Sequence, residues 1–239
     1  MAGIIVSVDH IARIREACHA RTPDPIAAAV LAELAGADGI AMQLDEVHLQ
    51  SRERDIRSLR KVVHTQLVIY MRPTSEMVGI ALDLRPDLIV LIPETGHETL
   101  PENGLDLVVH KKDIAETAST LQDNSIPVGI SIDAELEQVK LAHQLNVGTI
   151  ELHVGAYNRA SSGFSREQAF SQISNAANLA RKLRMNVNLG QGLTYKTMKA
   201  FSGLREIDNF SVGHSIVARA ILKGMEAAVS EIASFVRGV

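Results

Sequence analysis

The sequence contains no tryptophan and a single cysteine, and aromatic residues make up only 3% of the chain. The lone cysteine, Cys18, excludes an internal disulfide and is typical of proteins from a reducing compartment. No stretch of about 18 consecutive apolar residues is present, so we expect no membrane-spanning helix. With so few aromatic side chains, the hydrophobic 46% of the chain predicts a core of Val, Ile, Leu and Ala.

Charge and targeting signals are also weak. The formal net charge is -4, which argues against a general nucleic-acid-binding protein. The short basic run Arg52-Glu53-Arg54 alternates with an acid, and we interpret it as a solvated helix face. The N-terminus lacks the basic region and apolar segment of a signal peptide. These features predict a soluble cytoplasmic protein with no nucleic-acid or membrane partner.

Short apolar runs alternate with helical patterns along the whole chain. The predicted strands are residues 3–8, 39–44, 66–71, 88–92, 127–132, 149–153, 186–189 and 210–212. The predicted helices are residues 25–35, 52–63, 75–84, 108–121, 134–145, 166–183, 194–201 and 215–236. Eight such units in 239 residues fit one α/β domain, a (β/α)8 TIM barrel over residues 1–239. A doubly wound open sheet is the alternative, but Asp9-His10-Ile11-Ala12 stands where its Gly-rich turn belongs.

The last two predicted strands each end in a glycine turn. Gly190-Gln191-Gly192 follows the seventh strand, and Gly213-His214 joins the eighth strand to a helix. Barrels of this class commonly bind phosphate at these two loops, where backbone N–H groups and a helix N-terminus face the anion. The sequence therefore predicts a phosphate site, with two ordinary turns as the alternative.

Polar residues follow other predicted strands. Asp9 and His10 could be a base and its orienting acid, or Asp9 could cap the next turn while His10 bonds a backbone carbonyl. Glu151 and His153 share one strand face, and a charged Glu inside a barrel needs a partner or a function. We therefore predict a site role for Glu151 and a loop-supporting role for His153.

Metal-ligand spacings are absent from the sequence. Asp45, Glu46 and His48 could bind a metal after the second strand, but a solvated loop is the favoured interpretation. We therefore predict no metal and no cofactor.

Several motifs together point to one family. They are residues 7–15 (SVDHIARIR), 23–25 (PDP), 37–40 (ADGI), 93–94 (PE), 104–106 (GLD), 150–153 (IELH), 190–195 (GQGLTY) and 212–214 (VGH). In this order they resemble the pyridoxine 5′-phosphate synthase family, nearly from end to end. The resemblance implies a (β/α)8 barrel that assembles into octamers. It also implies condensation of 1-deoxy-D-xylulose 5-phosphate with 3-amino-2-oxopropyl phosphate to form the pyridine ring of vitamin B6.

Some site residues of that family are retained here. The resemblance implies that Gly192, Gly213 and His214 hold the phosphate of the aminoketone. It places Asp9 and His10 near the pentulose phosphate, and it gives Glu151 the role of a glutamate that stabilises the transition state.

The acid–base residues of the family are replaced. Gln43 stands where the family has a catalytic His, Tyr70 where it has a catalytic Glu, and Gln191 where it has a proton-donating His. A glutamine amide cannot shuttle a proton near neutral pH as imidazole does, and the ordinary pKa of tyrosine is near 10. The resemblance therefore does not extend to the acid–base residues of the family.

Groups that bind the pentulose phosphate also differ. An Arg of the family is replaced by Asp45, and this reversal of charge should repel a second phosphate. Further replacements are a His by Gln50, a Thr by Leu100, an early Asn by Ser7, and an Arg by Cys18, with Arg21 as the nearby candidate to substitute for that Arg.

Three hypotheses follow. The first is a divergent enzyme that binds one phosphorylated small molecule and catalyses a carbonyl condensation, imine-forming or aldol-type step. The positions that would form its catalytic site are Asp9, His10, Gln43, Asp45, Tyr70, Glu151 and Gln191. The second is the family reaction itself, and the third is a non-catalytic phosphometabolite-binding protein. By analogy with the family, the chain would form a homo-oligomer, an octamer.

Overall fold

The computed structural model describes residues 1–44, 46–94 and 103–238, and in that part parallel strands close into one barrel. The strands are β1 (Gly3–Ser7), β2 (Gly39–Gln43), β3 (Gln66–Met71), β4 (Leu88–Leu91), β5 (Val128–Ile132), β6 (Thr149–His153), β7 (Asn186–Gly190) and β8 (Asn209–Val212). Each strand pairs with its neighbours in the sequence, and pairing of β1 with β8 closes the barrel. The predicted TIM barrel is confirmed, and each predicted strand agrees to within one residue at either end.

Helices surround the barrel. They are α1 (Asp9–Ala17), α2 (Pro25–Leu34), α3 (Leu49–Val62), α4 (Ser75–Leu84), α5 (Lys111–Asp123), α6 (Leu136–Gln144), α7 (Gly155–Arg159), α8 (Gly163–Lys182), α9 (Tyr195–Phe201), α10 (His214–Lys223) and α11 (Met225–Arg237). Helix α1 was not predicted, because it begins just after β1 without a side-chain cap and so carries no start signal. The short α7 was not predicted either.

The prediction of a single helix over residues 215–236 was wrong, because this segment forms two helices. Gly224 separates α10 from α11 with φ 85° and ψ 156°. This positive φ is outside the helical region and is readily adopted by glycine. The chain therefore turns at Gly224, and α11 packs against both α10 and α2.

Apolar residues pack in two layers. The outward side chains of the strands form the larger core with the helices, as Ile4, Val6 and Ile40 do. The smaller cluster lies on the other face of the first four strands and includes Ile5, Ala41, Val68, Tyr70 and Val90. On the last four strands, the buried polar residues are Ser131, Thr149, Glu151, His153, Asn188 and Ser211. Polar chemistry inside the barrel is therefore concentrated on β5–β8.

Candidate active site

A cavity of about 140 Å³ lies at the carboxyl ends of the strands. This is the end of a (β/α)8 barrel where binding sites occur. Its lining residues are Ser7, Asp9, His10, Gln43, Tyr70, Ile92, Gln191, Gly192, Leu193, Thr194, Ser211, Gly213, His214 and Ser215. Most of the side chains chosen from the sequence therefore come together at one site, which lies between β1–β3 and the loops after β7 and β8.

Two turns form one wall of the cavity. Gln191 and Gly192 both have positive φ, 56° and 90°, so the backbone turns sharply after β7. Gly213 directly precedes α10, and no side chain caps this helix start. Ser215 links the two turns, because its hydroxyl donates a 2.7 Å hydrogen bond to the carbonyl oxygen of Leu193. The first N–H groups of α10 thus lie at a cavity wall, where the helix dipole favours an anion.

Gly213 has little room for a side chain. A Cβ atom at this position would lie 3.1 Å from the Cβ of Ser7 and 3.2 Å from Nδ1 of His10. Only a bare backbone therefore leaves space between the α10 N-terminus and the β1 end of the cavity. The other turn, after β7, is held by Asn158, whose amide donates to the carbonyl oxygen of Gly192 at 2.7 Å.

Asp9 is held by three partners. One carboxylate oxygen accepts from the backbone N–H of Gln43 at 2.7 Å and from the guanidinium of Arg52 at 3.1 Å. The other oxygen accepts from the hydroxyl of Ser7 at 2.9 Å. Asp9 therefore joins the ends of β1 and β2 to α3. It neither caps the following turn nor hydrogen-bonds His10, so neither sequence-based alternative describes it.

The interpretation of Arg52 as part of a solvated face is wrong. Arg52 is only 1% exposed, and it pairs with both Asp9 and Glu16 at 3.1 Å. Its neighbour on the same helix face, Asp55, is also buried and pairs with Arg15 at 2.5 Å. Helical periodicity could have found this network, because residues 52 and 55 share the face of the buried Ile56 and Leu59.

His10 and His214 meet edge to face at the cavity, with ring centroids 5.4 Å apart. Burial lowers the pKa of His10 from 6.5, and the nearby Asp9 carboxylate only partly opposes this effect. Among the described residues, Nδ1 of His10 has no hydrogen-bond partner. The lowered pKa favours a neutral imidazole near pH 7, and the unpartnered Nδ1 atom is buried.

A buried cluster crosses the barrel behind the cavity. The hydroxyl of Tyr70 on β3 lies 2.5 Å from a carboxylate oxygen of Glu151 on β6 and 2.6 Å from the hydroxyl of Ser211 on β8. Glu151 is 1% exposed and does not line the cavity, whereas Tyr70 and Ser211 do. Burial raises the pKa of Glu151 to about 7, against hydrogen bonds with Tyr70, Gln191 and Ser211. Burial and the Glu151 charge raise the pKa of Tyr70 well above its ordinary value.

The remaining sequence-based candidates divide into four groups. Gln43 and Gln191 line the cavity. Arg21 is exposed between α1 and α2 and is not among the lining residues, so the structure does not bring it to the site. Asp45 and Leu100 lie outside the described residues. His153 accepts a 3.0 Å hydrogen bond from the N–H of Gly155, at the start of α7.

Of the three residues named as a possible metal site, Glu46 and His48 lie in the described part of the chain and Asp45 lies outside it. Glu46 pairs with Arg72 at 2.6 Å, and no group of three or more His, Cys, Asp or Glu residues that could hold a metal was found among residues 1–44, 46–94 and 103–238. Over the same residues, no helix has the length and apolar character needed to cross a membrane.

The closed barrel and its strand-end cavity define the class of (β/α)8 proteins that bind small molecules at this face. The family model described as pyridoxal phosphate biosynthesis protein PdxJ matches residues 4–238. The chain therefore belongs to the PdxJ family, as the motifs of the sequence indicated.

Relatives and solved structures agree with this assignment. Two relatives named pyridoxine 5′-phosphate synthase, from Desulforapulum autotrophicum and Desulfatibacillum aliphaticivorans, are 44% and 43% identical, and each match covers 100% of both chains. Among solved structures, KGPDC from Streptococcus mutans superposes with a TM-score of 0.68 at 14% identity, covering 100% of this chain and 99% of that one. Phosphoribosyl anthranilate isomerase from Thermus thermophilus superposes with a TM-score of 0.63 at 12% identity, and the match covers 100% of this chain and 99% of that one. These two structural matches show the fold alone.

Proposed function

We propose that this member of the PdxJ family is an enzyme that binds one phosphorylated aminoketone or sugar phosphate and catalyses a condensation, imine-forming or aldol-type step at its carbonyl group. The observation that carries the proposal is the wall formed by Gly192, Gly213 and the N-terminus of α10, with the neutral His10 beside Gly213. An anionic group held at the helix start leaves the carbonyl part of the ligand facing His10 and Tyr70.

The opposite side of the cavity offers little to a second phosphate. Within the described part of the chain, no Lys or Arg lines the cavity, and the nearby Arg52 is paired with Asp9 and Glu16. Asp45 follows β2 where the family has an Arg. The second reactant of the proposed reaction therefore need not carry a phosphate.

A comparison of two ligands tests the proposal. We expect 3-amino-2-oxopropyl phosphate to bind in calorimetry, and aminoacetone, which lacks the phosphate, to bind at least about tenfold more weakly. Gly213→Ala should lower the affinity for the phosphorylated compound by at least about tenfold, because the new Cβ fills the space beside His10. Gly203→Ala is the matched control, since a Cβ at Gly203 meets nothing within 4 Å. Equal binding of the two ligands would overturn the proposal.

Pyridoxine 5′-phosphate synthesis itself is the second candidate. The names of the relatives, which match along their full length at 43–44% identity, favour it. The glutamines at positions 43 and 191 weigh against it, since each lost acid–base group costs about 10²–10⁴-fold in rate. Growth of a pyridoxine auxotroph carrying this chain, or formation of pyridoxine 5′-phosphate from both family substrates, would establish this candidate over the first. Tight binding of the phosphorylated ligand without any turnover would instead indicate a binding protein.

We also propose that the chain forms a homo-oligomer. The support is a set of exposed apolar side chains on packed neighbouring helices, which are Leu34 on α2, Ile221 and Leu222 on α10, and Phe235 on α11. Monomeric proteins rarely expose large contiguous apolar patches. Light scattering after size exclusion should give a mass that is a multiple of 25.9 kDa. A monomer at micromolar concentration would contradict this.

A further inference from the structure

Tyr70 is the buried hydroxyl that connects the cavity with the carboxyl group behind it. It lies within hydrogen-bond distance of Glu151 and Ser211, at 2.5 Å and 2.6 Å. Tyr70 lines the cavity, but Glu151 does not, so a ligand can touch the tyrosine and not the glutamate. Gly190 makes this arrangement possible, because a Cβ there would lie 2.3 Å from Cδ of Glu151.

We propose that Tyr70 is the catalytic acid that donates a proton to the carbonyl oxygen of the bound substrate, and that Glu151 is a positioning residue that returns a proton to the Tyr70 hydroxyl. The inference rests on the proposed function, because the anion wall at Gly213 and the α10 N-terminus is what holds the substrate beside Tyr70.

The proposed proton transfer is an enolisation, in which every proton and electron pair is accounted for. A C–H bond next to the carbonyl breaks, and its proton passes to the imidazole of His10, which lines the cavity. The electron pair of that bond forms the C=C bond, and the π pair of the carbonyl moves onto oxygen. The oxygen takes the proton of Tyr70, and Tyr70 takes the proton of the Glu151 carboxyl, which becomes a carboxylate. Reversal returns both protons.

Neighbouring groups suit this transfer. The polar groups that face Glu151 are Tyr70 on β3, Ser131 on β5, Gln191 after β7 and Ser211 on β8. Asp9, whose charge also raises the pKa of Tyr70, is already paired with Arg52. Among the described residues, no cation contributes to the pKa of Glu151, which is about 7. Near neutral pH a substantial fraction of the protein therefore holds the proton that the step requires.

Deuterium exchange tests the inference without a second reactant. In D2O, the wild-type protein should exchange the C–H protons of 3-amino-2-oxopropyl phosphate, measured by proton NMR. Tyr70→Phe keeps the ring and removes the hydroxyl, and it should slow exchange by about 10²-fold while leaving the Kd for this probe within about threefold. Tyr195→Phe is the matched control, because that hydroxyl binds the carbonyl oxygen of Ala228 outside the cavity. Equal rates in Tyr70→Phe and wild type would overturn the inference.

The role of Glu151 is tested by two separate measurements, the pH profile of exchange and an infrared band. Wild-type exchange should fall as pH rises through about 7, because the carboxyl group loses the proton that it supplies. Glu151→Gln should be slower and should lose this limb of the pH profile. A carboxylic-acid infrared band, present in wild type at pH 6 and absent from Glu151→Gln, reports the proton directly and requires no substrate. Absence of that band in wild type would refute the positioning role, whereas a failure of the probe to bind would refute only the proposed function.

Discussion

Replacement of Glu151 by Gln should change how stability depends on pH. Burial raises the pKa of Glu151 from 4.5 to about 7 in the folded protein. One pKa unit corresponds to 1.36 kcal/mol, so the shift amounts to ~3 kcal/mol. Between these pH values the folded state binds the proton more tightly than the unfolded state. The contribution of Glu151 is therefore complete below pH 4.5 and is lost as pH rises to about 7.

The assay is urea unfolding of wild type and Glu151→Gln at several pH values from about 4.5 to about 8.5. The free energy of unfolding of the variant relative to wild type should rise by ~3 kcal/mol across this range, because the glutamine does not ionise. Taking the difference removes groups that titrate in both proteins, including His10, whose lowered pKa destabilises the fold as pH falls. Glu226→Gln, at an exposed position on α11, provides the matched substitution. A difference that stays constant within about 0.5 kcal/mol would refute the reasoning.

Two further changes test the architecture of the site. Arg52→Met removes the cation from two buried carboxylates and should lower the free energy of unfolding by about 3–5 kcal/mol. Arg57→Met, at an exposed surface pair, should cost much less, and equal losses in chemical denaturation would contradict the burial argument. Gly190→Ala places a Cβ against the carboxyl group of Glu151 and should cost about 1–3 kcal/mol, while Gly203→Ala, with open space, should change little; tolerance of alanine at position 190 would show that the carboxyl group can move.

Much of the fold could be predicted from the sequence, because each strand is a short apolar run between helical patterns. Helix α1 was missed, since it follows β1 without a cap or turn signal. The strand alternation placed Glu151 on one face of β6, but it could not say which residue lies opposite. The pairing with Tyr70 depends on closure of the barrel. Closure brings the hydroxyl of Tyr70 on β3 to 2.5 Å from a carboxylate oxygen of Glu151 on β6. Arg52 was misjudged because a local charge pattern was weighed above helical periodicity.

The exchange of residues at position 70 changes how many protons the pair of residues 70 and 151 holds below about pH 7. The family resemblance places a glutamate at this position, and two carboxyl groups in hydrogen-bond contact inside a protein cannot both ionise, so they share one proton. Here a tyrosine takes one of the two places and keeps its proton, because burial and the Glu151 charge raise its pKa well above the ordinary value. Glu151 then loses its own proton only near pH 7.

In the proposed step the pair still holds a transferable proton at neutral pH, and this proton passes through a longer and less acidic group. A phenol is a weaker acid than a carboxylic acid and serves best where the oxygen that it protonates becomes strongly basic in the transition state. An enolate or alkoxide oxygen meets that condition. The replacement of Glu by Tyr is therefore consistent with retained carbonyl chemistry, and it gives a reason why the loss of both imidazoles need not have ended catalysis.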